Sequence, residues 1–371
     1  MIYNGKEIKK FGFGLMRLPM FEGEIDTEQV KQMVDSFLEN GFTYFDTAYG
    51  YHNQKSEGAI KECLVDRYPR DSFQLATKLP AWAGAKTKEE AEQMFYTSLE
   101  RTGAGYFDFY LLHNLGGSRT ELFETYDLWD FVARQKEAGL IKKLGFSMHD
   151  NAEALERILT AHPEVDFVQL QINYADWENP TVQSKLCYEV AKKHKKPVVI
   201  MEPLRGGALA NPPKKVAEVL DANGEGKPYA EWGLRYAASL ENAFMVLSGM
   251  STIEQIKQNI TFMKEFKPLN TEEQQVIANA QEALESIPSI ACTNCQYCVK
   301  ECPMTISIPD IFDAMNRYLI YGDMKGAKGA YVGVSNKGNN ASACIACRRC
   351  EAVCPQYIKI SDELKTVDKT L

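Results

Sequence analysis

The chain has 371 residues, of which 45% are hydrophobic and 25% charged, so it is long enough for one large domain with an appendage and apolar enough to bury a sizeable core. Acidic residues outnumber basic ones by 50 to 42, the net charge is −8 and no long basic run is present, so we do not expect a nucleic-acid partner. The sequence shows neither the apolar stretch of a signal peptide nor a window long and apolar enough to span a membrane, and we expect a cytoplasmic protein without a membrane partner.

Short apolar segments alternate with amphipathic ones from residue 11 to about residue 285. The apolar segments are predicted to be strands and the amphipathic ones helices. The predicted strands are 11–17, 42–47, 73–78, 107–113, 143–147, 167–172, 197–203 and 244–248, and the predicted helices are 26–40, 56–66, 87–102, 120–138, 151–161, 181–195, 228–240, 252–264 and 271–286. Such alternation requires parallel strands with right-handed crossovers, and eight units of this kind close an α/β fold of the (β/α)8 TIM barrel type.

An open, doubly wound sheet is the alternative fold for the same alternation. That fold usually carries a Gly-x-Gly-x-x-Gly turn after its first strand. Here Gly12-Phe13-Gly14 is not followed by such a turn. The sequence therefore favours the barrel.

Polar side chains stand at the predicted carboxyl ends of three successive strands. Asp46 ends the second strand, Lys78 the third and His113 the fourth, while Tyr49 and Tyr51 closely follow Asp46. Barrel enzymes place their catalytic groups at these strand ends. A lysine buried in a barrel mouth is costly unless an anion pairs with it, and Asp46 is the candidate anion. Each residue alone has a ready structural explanation, but the three together favour an active site.

The segment Asp46-Thr47-Ala48-x-x-Tyr51, taken with Lys78 and His113, resembles the catalytic tetrad of the aldo-keto reductase family. The resemblance covers residues 1 to about 285, and its spacing selects Tyr51 rather than Tyr49. It implies an NAD(P)H-dependent oxidoreductase that reduces a small aldehyde or ketone, or oxidises the corresponding alcohol.

The resemblance also implies a role for each member of the tetrad. Tyr51 would donate a proton to the carbonyl oxygen as hydride arrives, although a phenol has an ordinary pKa of about 10. Lys78 would lower that pKa by stabilising the phenolate, and Asp46 would keep Lys78 charged. His113 would hydrogen-bond the carbonyl oxygen and share its developing charge.

Cofactor positions match the family less completely. The family binds the carboxamide of the nicotinamide with a Ser-Asn pair after the fifth strand and a Gln after the sixth. This chain keeps Ser147 but has Met148 where Asn is usual. Gln171 fits the position of the Gln, and Gln169 is the less favoured candidate. The segment 203–207 resembles the loop that folds over the pyrophosphate, with a plain turn between strand and helix as the alternative. The resemblance assigns cofactor binding to Ser147, Gln171, Pro203, Leu204, Gly206 and Asn259.

The cations that read the 2′-phosphate of NADPH in the family are missing after the eighth strand. The chain has Ser248-Gly249-Met250 there and Gln255 further on. The choice between NADP and NAD therefore stays open, with Arg205 as a candidate replacement cation.

The pattern changes near Ile287, where strands give way to cysteines, and we predict a barrel domain at 1–286 and a small, mostly α-helical ferredoxin-like domain at 287–371. Within it, 308–321 has helical spacing and 322–342 is predicted to be a loop. Eight of the ten cysteines lie in this region, and the other two, Cys63 and Cys187, are predicted to be buried thiols. The eight form two blocks that each end in Cys-Pro: Cys292, Cys295, Cys298 and Cys302, then Cys344, Cys347, Cys350 and Cys354.

This spacing is that of the bacterial ferredoxin run, in which the fourth cysteine of each block binds the other cluster. We therefore expect two [4Fe-4S] clusters. One would be held by Cys292, Cys295, Cys298 and Cys354, and the second by Cys344, Cys347, Cys350 and Cys302. Zinc is the alternative metal, but zinc ribbons use pairs of cysteines.

Two uses of the clusters stay open, electron exchange with a redox partner protein and bracing of the structure. A hydride carries two electrons and a cubane takes one, and no flavin motif is present to split the pair. The alternative to an enzyme is an electron-transfer or binding protein whose barrel docks a partner or senses a nucleotide without turnover.

Overall fold

Eight parallel strands close into a barrel, which confirms the predicted fold. In this computed structural model, which describes residues 2–3, 5–224, 226–336 and 338–371, the strands follow one another around the barrel in chain order and the last pairs with the first. They are β1 Phe11–Gly14, β2 Tyr44–Asp46, β3 Gln74–Leu79, β4 Phe107–Leu115, β5 Ile141–Met148, β6 Phe167–Gln171, β7 Val198–Met201 and β8 Ala243–Gly249.

Helices follow the strands and then continue to the C-terminus. Up to residue 285 they are α1 Thr27–Glu39, α2 Ser56–Ile60, α3 Lys88–Thr102, α4 Ser118–Thr125, α5 Leu128–Glu137, α6 Ala152–Ala161, α7 Ser184–Lys193, α8 Lys214–Gly224, α9 Tyr229–Ser239, α10 Ile253–Met263 and α11 Thr271–Glu285. Beyond it lie α12 Tyr297–Glu301, α13 Ile308–Tyr321, α14 Met324–Ser335, α15 Arg349–Ala352 and α16 Ile360–Thr370. The short segment Tyr51–Gln54 is given no label because His52 and Asn53 within it have non-helical backbone angles. In the described part of the chain, no helix combines the length and hydropathy needed to cross a membrane.

The chain divides into two compact units. The first comprises Met1–Glu178, Gln183–Pro203 and Leu234–Pro268 and holds the eight barrel strands; the second comprises Asn179–Val182, Leu204–Gly233 and Leu269–Leu371. The domain boundary between residues 286 and 287 stays a prediction.

The barrel is closed at its amino end by aromatic packing. Tyr3, Tyr44, Phe109 and Phe244 are all buried in one cluster. Tyr3 belongs to a short antiparallel pair, Ile2–Tyr3 with Lys6–Glu7, that precedes the barrel. Its hydroxyl donates to Asp108 at 2.8 Å. The amino end is thus a packed base, which leaves the carboxyl ends of the strands for chemistry.

Three helix predictions need correction. The predicted helix 120–138 is two helices, α4 and α5, because the chain turns at Asp127, whose φ is 48°. Helix α8 was not predicted, although Val216 and Leu220 are buried at helical spacing in it. The loop predicted at 322–342 contains helix α14, a difference explained below.

The second unit has a core of its own. Helix α13 buries Ile311, Phe312 and Met315, which confirms the predicted helical face at 308–321. Helix α14 packs against α13 through Ala327 and Tyr331, which are both buried.

The glycines of α14 had indicated a loop, but capping and packing override their low helix propensity. The Asp323 side chain accepts a hydrogen bond from the Gly326 N–H at 2.8 Å and so caps the first turn. The Tyr331 hydroxyl accepts another from the Ala341 N–H at 3.1 Å.

Candidate active site and cysteine clusters

A buried ion pair joins the ends of two neighbouring strands. Asp46 ends β2 and Lys78 lies near the end of β3, where parallel pairing of Asp46 with Ala76 brings the two side chains together. The Lys78 Nζ donates to Asp46 Oδ1 at 2.5 Å and to the Thr47 carbonyl at 2.7 Å. Burial raises the pKa of Asp46 and lowers the pKa of Lys78, and the attraction between the two opposes both shifts. The predicted pairing of Lys78 with an anion is therefore present.

Tyr51 and His113 lie against this pair. The Lys78 Nζ is 5.0 Å from the centre of the Tyr51 ring. The Tyr51 and His113 ring centres are 5.9 Å apart with the rings nearly perpendicular. The structure thus brings all four residues of the predicted tetrad together.

The pKa of Tyr51 differs from the sequence-based expectation. Burial raises it well above its ordinary value, the charges of Asp46 and Glu202 raise it further, and Arg17 opposes them. Lys78 was expected to lower this pKa, but its charge is balanced by direct contact with Asp46. Tyr51 therefore keeps its proton through neutral pH, as a proton donor must.

His113 is neutral for a similar reason. It is only 6% exposed, and burial holds its pKa well below its ordinary range, with Lys78, His149 and Arg119 acting in the same direction. Its Nδ1 is buried and has no hydrogen-bond partner among the described residues. The Trp82 indole N–H donates to the His113 carbonyl at 2.7 Å and so helps to fix the backbone. A neutral imidazole has one N–H, which can orient a carbonyl oxygen.

The turn after Tyr51 is strained. His52, Asn53 and Gln54 have φ values of 50°, 52° and 71°, a left-handed conformation that costs roughly 1–3 kcal/mol for each such residue. Nε2 of His52 accepts a hydrogen bond from the Leu18 N–H at 3.1 Å. Strain held by surrounding contacts is typical of residues that position a functional group.

Arg101 of helix α3 braces this turn, and no feature of the sequence pattern pointed to it. Its guanidinium donates to Gln54 Oε1 at 2.6 Å and stacks 4.4 Å from the Tyr49 ring centre. It also lies 3.6 Å from the buried carboxylate of Glu57. We expect Arg101→Ala to lower kcat about tenfold or more by letting Tyr51 shift, because a 1 Å misplacement of a catalytic group has large effects on rate.

Steady-state kinetics of Arg101→Ala would test this positioning role. Arg101→Lys should restore part of the rate, and Arg157→Ala, a change at an exposed helical arginine, should leave it unchanged. Wild-type kcat in Arg101→Ala would show that the turn does not depend on Arg101.

Predicted carboxamide-reading residues lie at the ends of β5 and β6. Ser147 is 2% exposed, and its hydroxyl accepts from the Asn114 N–H at 2.8 Å. Gln171 ends β6, and its amide donates to Asp176 at 2.9 Å. Gln169 lies earlier in the strand, with its amide 3.5 Å from the sulfur of Met201. Gln171 thus lies at the carboxyl end of β6 and Gln169 two residues before it, and the choice of Gln171 stays a prediction.

Two further polar residues lie near these strand ends and were not among the predicted site residues. Asn114 follows His113 with a φ of 58°, and its Oδ1 is buried without a hydrogen-bond partner among the described residues. His149 is half-buried, and burial lowers its pKa to about 4 despite a hydrogen bond with Gln171. The sequence signal for Asn114 was its position next to His113, and that for His149 was its position two residues after Ser147.

The remaining predicted cofactor residues are divided between the two units. Asn259 is 3% exposed and its amide is 3.4 Å from the Ser248 hydroxyl. Pro203 is buried in the first unit, and Leu204 and Gly206 belong to the second. Gly206 has a φ of 67°, and a Cβ there would lie 2.6 Å from the carbonyl oxygen of Thr293. Glycine is thus required where this loop approaches the first cysteine block.

The eight clustered cysteines line two cavities in the second unit. Three thiols of one block and the fourth of the other line each cavity, which is the grouping expected from the sequence. The first cavity has Cys292, Cys295, Cys298 and Cys354, and the second has Cys302, Cys344, Cys347 and Cys350. The thiols surround each cavity: within the described ranges, no three His, Cys, Asp or Glu side chains are arranged to hold one metal ion.

The two blocks repeat the same backbone conformation. Asn294 and Gln296 have positive φ in the first block, and Ala346 and Arg348 have it at the equivalent positions of the second. Alternating conformations of this kind turn successive N–H groups into a concavity that suits anionic groups, including iron–sulfur clusters.

The clustered thiols would repel one another if they lost their protons. Burial raises the pKa of Cys350 to about 11, and neighbouring cysteines add to the shift. A cationic metal centre would offset the repulsion between clustered thiolates. All ten cysteines are thiols, and Cys63 and Cys187 are buried as predicted.

A closed parallel barrel with polar groups gathered at its strand ends is the architecture of barrel enzymes. The chain belongs to the aldo-keto reductase family: the family model described as aldo/keto reductase family matches residues 10–282, and a 4Fe-4S dicluster domain model matches 291–359. The chain is accordingly an oxidoreductase with an iron–sulfur domain.

Curated relatives agree with this assignment. An aldo-keto reductase of Mycolicibacterium smegmatis is 28% identical over 241 residues, covering 64% of this chain and 78% of the relative. An aldo-keto reductase of Mycolicibacterium vanbaalenii is 30% identical over 244 residues, which cover 64% of this chain and 79% of the relative.

Solved structures share the fold. The holo form of an aldo-keto reductase from Bacillus halodurans matches with a TM-score of 0.58 and 22% identity, covering 75% of this chain and 94% of that one. An aldo-keto reductase from Klebsiella pneumoniae in complex with NADPH matches with a TM-score of 0.56 and 22% identity, covering 74% and 92%.

Proposed function

We propose that this protein reduces a small aldehyde or ketone with NAD(P)H, or oxidises the corresponding alcohol. The observation that carries the proposal is the meeting of Tyr51, Lys78, Asp46 and His113 at the carboxyl ends of neighbouring strands. The bound nicotinamide supplies the hydride or accepts it. The side chains of the barrel hold the carbonyl and move the proton.

In the direction of reduction, the Tyr51 hydroxyl donates its proton to the carbonyl oxygen as that oxygen gains negative charge. The neutral imidazole of His113 donates a hydrogen bond to the same oxygen and orients it. Asp46 fixes Lys78, whose Nζ lies 5.0 Å from the centre of the Tyr51 ring and so helps to position it. In oxidation the same groups act in reverse.

We propose that Ser147 and Gln171 hold the carboxamide of the nicotinamide, Asn259 the adenine, and the loop with Pro203, Leu204 and Gly206 the pyrophosphate. Ser147 carries a buried hydroxyl and Gln171 a buried amide at the strand ends. NADP is supported by the neighbouring structure from Klebsiella pneumoniae, which contains NADPH. The absence of the usual cations from the sequence after β8 keeps NAD as a candidate.

We propose further that the second unit holds two [4Fe-4S] clusters, one in each cysteine cavity, and that each would accept or give one electron. Two cavities with four thiols each support this number. Thiols carried without disulfides fit a reducing compartment, and we place the protein in the cytoplasm.

An assay of nicotinamide oxidation under anaerobic conditions would test the proposed activity. The holoprotein is mixed with NADPH or NADH and a panel of aldehydes and ketones, and absorbance of the nicotinamide is followed. We expect carbonyl-dependent oxidation with at least one cofactor. Tight nucleotide binding without turnover of any carbonyl would favour the alternative, a binding or electron-transfer protein.

A further inference from the structure

The two cysteine sites differ in how much protein covers them. At equivalent positions of the two blocks, Thr293 is 3% exposed whereas Ile345 is 62% exposed. Cys295 is half-buried whereas Cys347 is exposed, and Tyr297 is half-buried whereas Arg349 is exposed; Arg348 is exposed, as is its equivalent Gln296. The blocks have the same spacing and backbone, so the difference comes from what surrounds them.

The exposed residues are also the wall of the second cavity. Ile345, Cys347 and Arg348 line it, and Ile345 is 62% exposed. We call the exposed segment Ile345–Arg349 the second-site rim. On this side, only the second-site rim would separate a redox group in the second cavity from solvent. Another protein could therefore come close to that redox group.

The rim combines positive charge with an exposed apolar side chain. Between residues 341 and 360 the basic residues are Arg348, Arg349 and Lys359, and the acidic one is Glu351, in a chain whose net charge is −8. Glu351 accepts a hydrogen bond from the Ser361 N–H at 2.9 Å. An apolar centre with charged residues at its edge is the composition of a transient protein interface.

We propose that an acidic one-electron carrier protein docks on the second-site rim and exchanges electrons with the cluster in the cavity of Cys302, Cys344, Cys347 and Cys350. This proposal rests on the proposed cluster content. One electron leaves the reduced carrier, which is oxidised by one unit, and the cluster is reduced by one unit. No covalent bond forms or breaks, and no proton is transferred. Opposite charge steers the carrier to the rim and fixes its orientation.

The test uses the anaerobic holoprotein and a reduced acidic [2Fe–2S] ferredoxin as the probe. Binding is measured by titration at low and high salt, and electron transfer by the appearance of the reduced-cluster signal in electron paramagnetic resonance spectra. We expect saturable binding that weakens with salt, since exposed charges are screened.

The double variant Arg348→Gln with Arg349→Gln should raise the Kd of the probe at low salt about tenfold, since charges at an interface speed the encounter of the two partners. Glutamine suits the left-handed backbone of Arg348, because Gln296 occupies the equivalent position in the first block. Lys325→Gln with Lys328→Gln is the matched control, since it removes two exposed charges from α14 of the same unit. Ile345→Ser is a second rim variant that changes no charge.

The outcomes separate the docking surface from the clusters. Iron content is measured for every variant. If the protein has its full iron but does not bind the probe, the docking proposal is overturned and the cluster proposal stands. The same holds if the probe binds but neither rim variant weakens binding more than the α14 control does. Protein that holds no iron would overturn the cluster proposal, and the docking proposal with it.

Discussion

Replacing Tyr51 with phenylalanine should lower kcat for carbonyl reduction by a factor of about 10²–10⁴, the usual contribution of a positioned general acid. The change removes one hydroxyl from a ring 5.0 Å from the Lys78 Nζ and leaves the packing against His113 in place. Nucleotide affinity should change little, because the lost proton transfer belongs to the chemical step. Single-turnover rates with a carbonyl from the panel would measure the effect.

Tyr49→Phe is the matched control for this experiment. Tyr49 is two residues away, half-buried and stacked under Arg101, so its hydroxyl has no place in the proposed chemistry. Equal losses in the two variants would remove Tyr51 from the role of acid.

The pH dependence of reduction follows from the same two groups. The raised pKa of Tyr51 keeps the phenol protonated as pH rises, and the lowered pKa of His113 keeps the imidazole neutral as pH falls. We therefore expect kcat/KM for reduction to be flat between about pH 6 and pH 9, close to the ordinary pKa values of free histidine and tyrosine. A steep fall near pH 6.5 would show that His113 titrates as an exposed histidine does.

Replacing Cys354 with serine should remove about half of the iron, because one of the two cubanes, with four of about eight iron atoms, would lose one of its four thiolate ligands. Although Cys354 belongs to the second block, it lines the first cavity. Iron analysis of anaerobically purified protein measures the loss. Cys187→Ser, at a buried thiol of the first unit, is the control and should keep all of the iron.

Pairs of substitutions show which thiols share a cluster. Adding Cys292→Ser to Cys354→Ser should cost no more iron, since both side chains line the first cavity. Adding Cys347→Ser should remove the rest, since Cys347 lines the second. The reverse pattern would mean that each block holds its own cluster, and colourless protein loaded with zinc would exclude clusters altogether.

Much of the site could be predicted because it depends on strand ends and on short sequence spacings. Strand ends of a parallel barrel meet at one face, so Asp46, Lys78 and His113 were expected to converge. The resemblance to the aldo-keto reductase tetrad then selected Tyr51. The crossed grouping of thiols was expected because the spacing matches the run of two-cluster ferredoxins, and in the structure the thiols line the two cavities in that grouping.

Other features depend on distant contacts and could not be predicted. Arg101 reaches the turn after Tyr51 from a helix some fifty residues away in sequence. The pKa of Tyr51 is raised rather than lowered, because burial dominates and Lys78 is already paired with Asp46. The exposure of Ile345 depends on how the second unit packs, whereas the two blocks have the same cysteine spacing.

Isotope transfer tests the central claim most directly. The anaerobic holoprotein is given nicotinamide carrying deuterium at the transferable position, together with an aldehyde that it turns over, and the alcohol product is analysed by NMR. The account predicts one deuterium on the carbinol carbon, with the hydroxyl proton drawn from Tyr51 and exchangeable with solvent. Alcohol without deuterium on that carbon, formed while the nicotinamide is oxidised, would mean that electrons reach the substrate by another route and would contradict direct hydride transfer in this barrel.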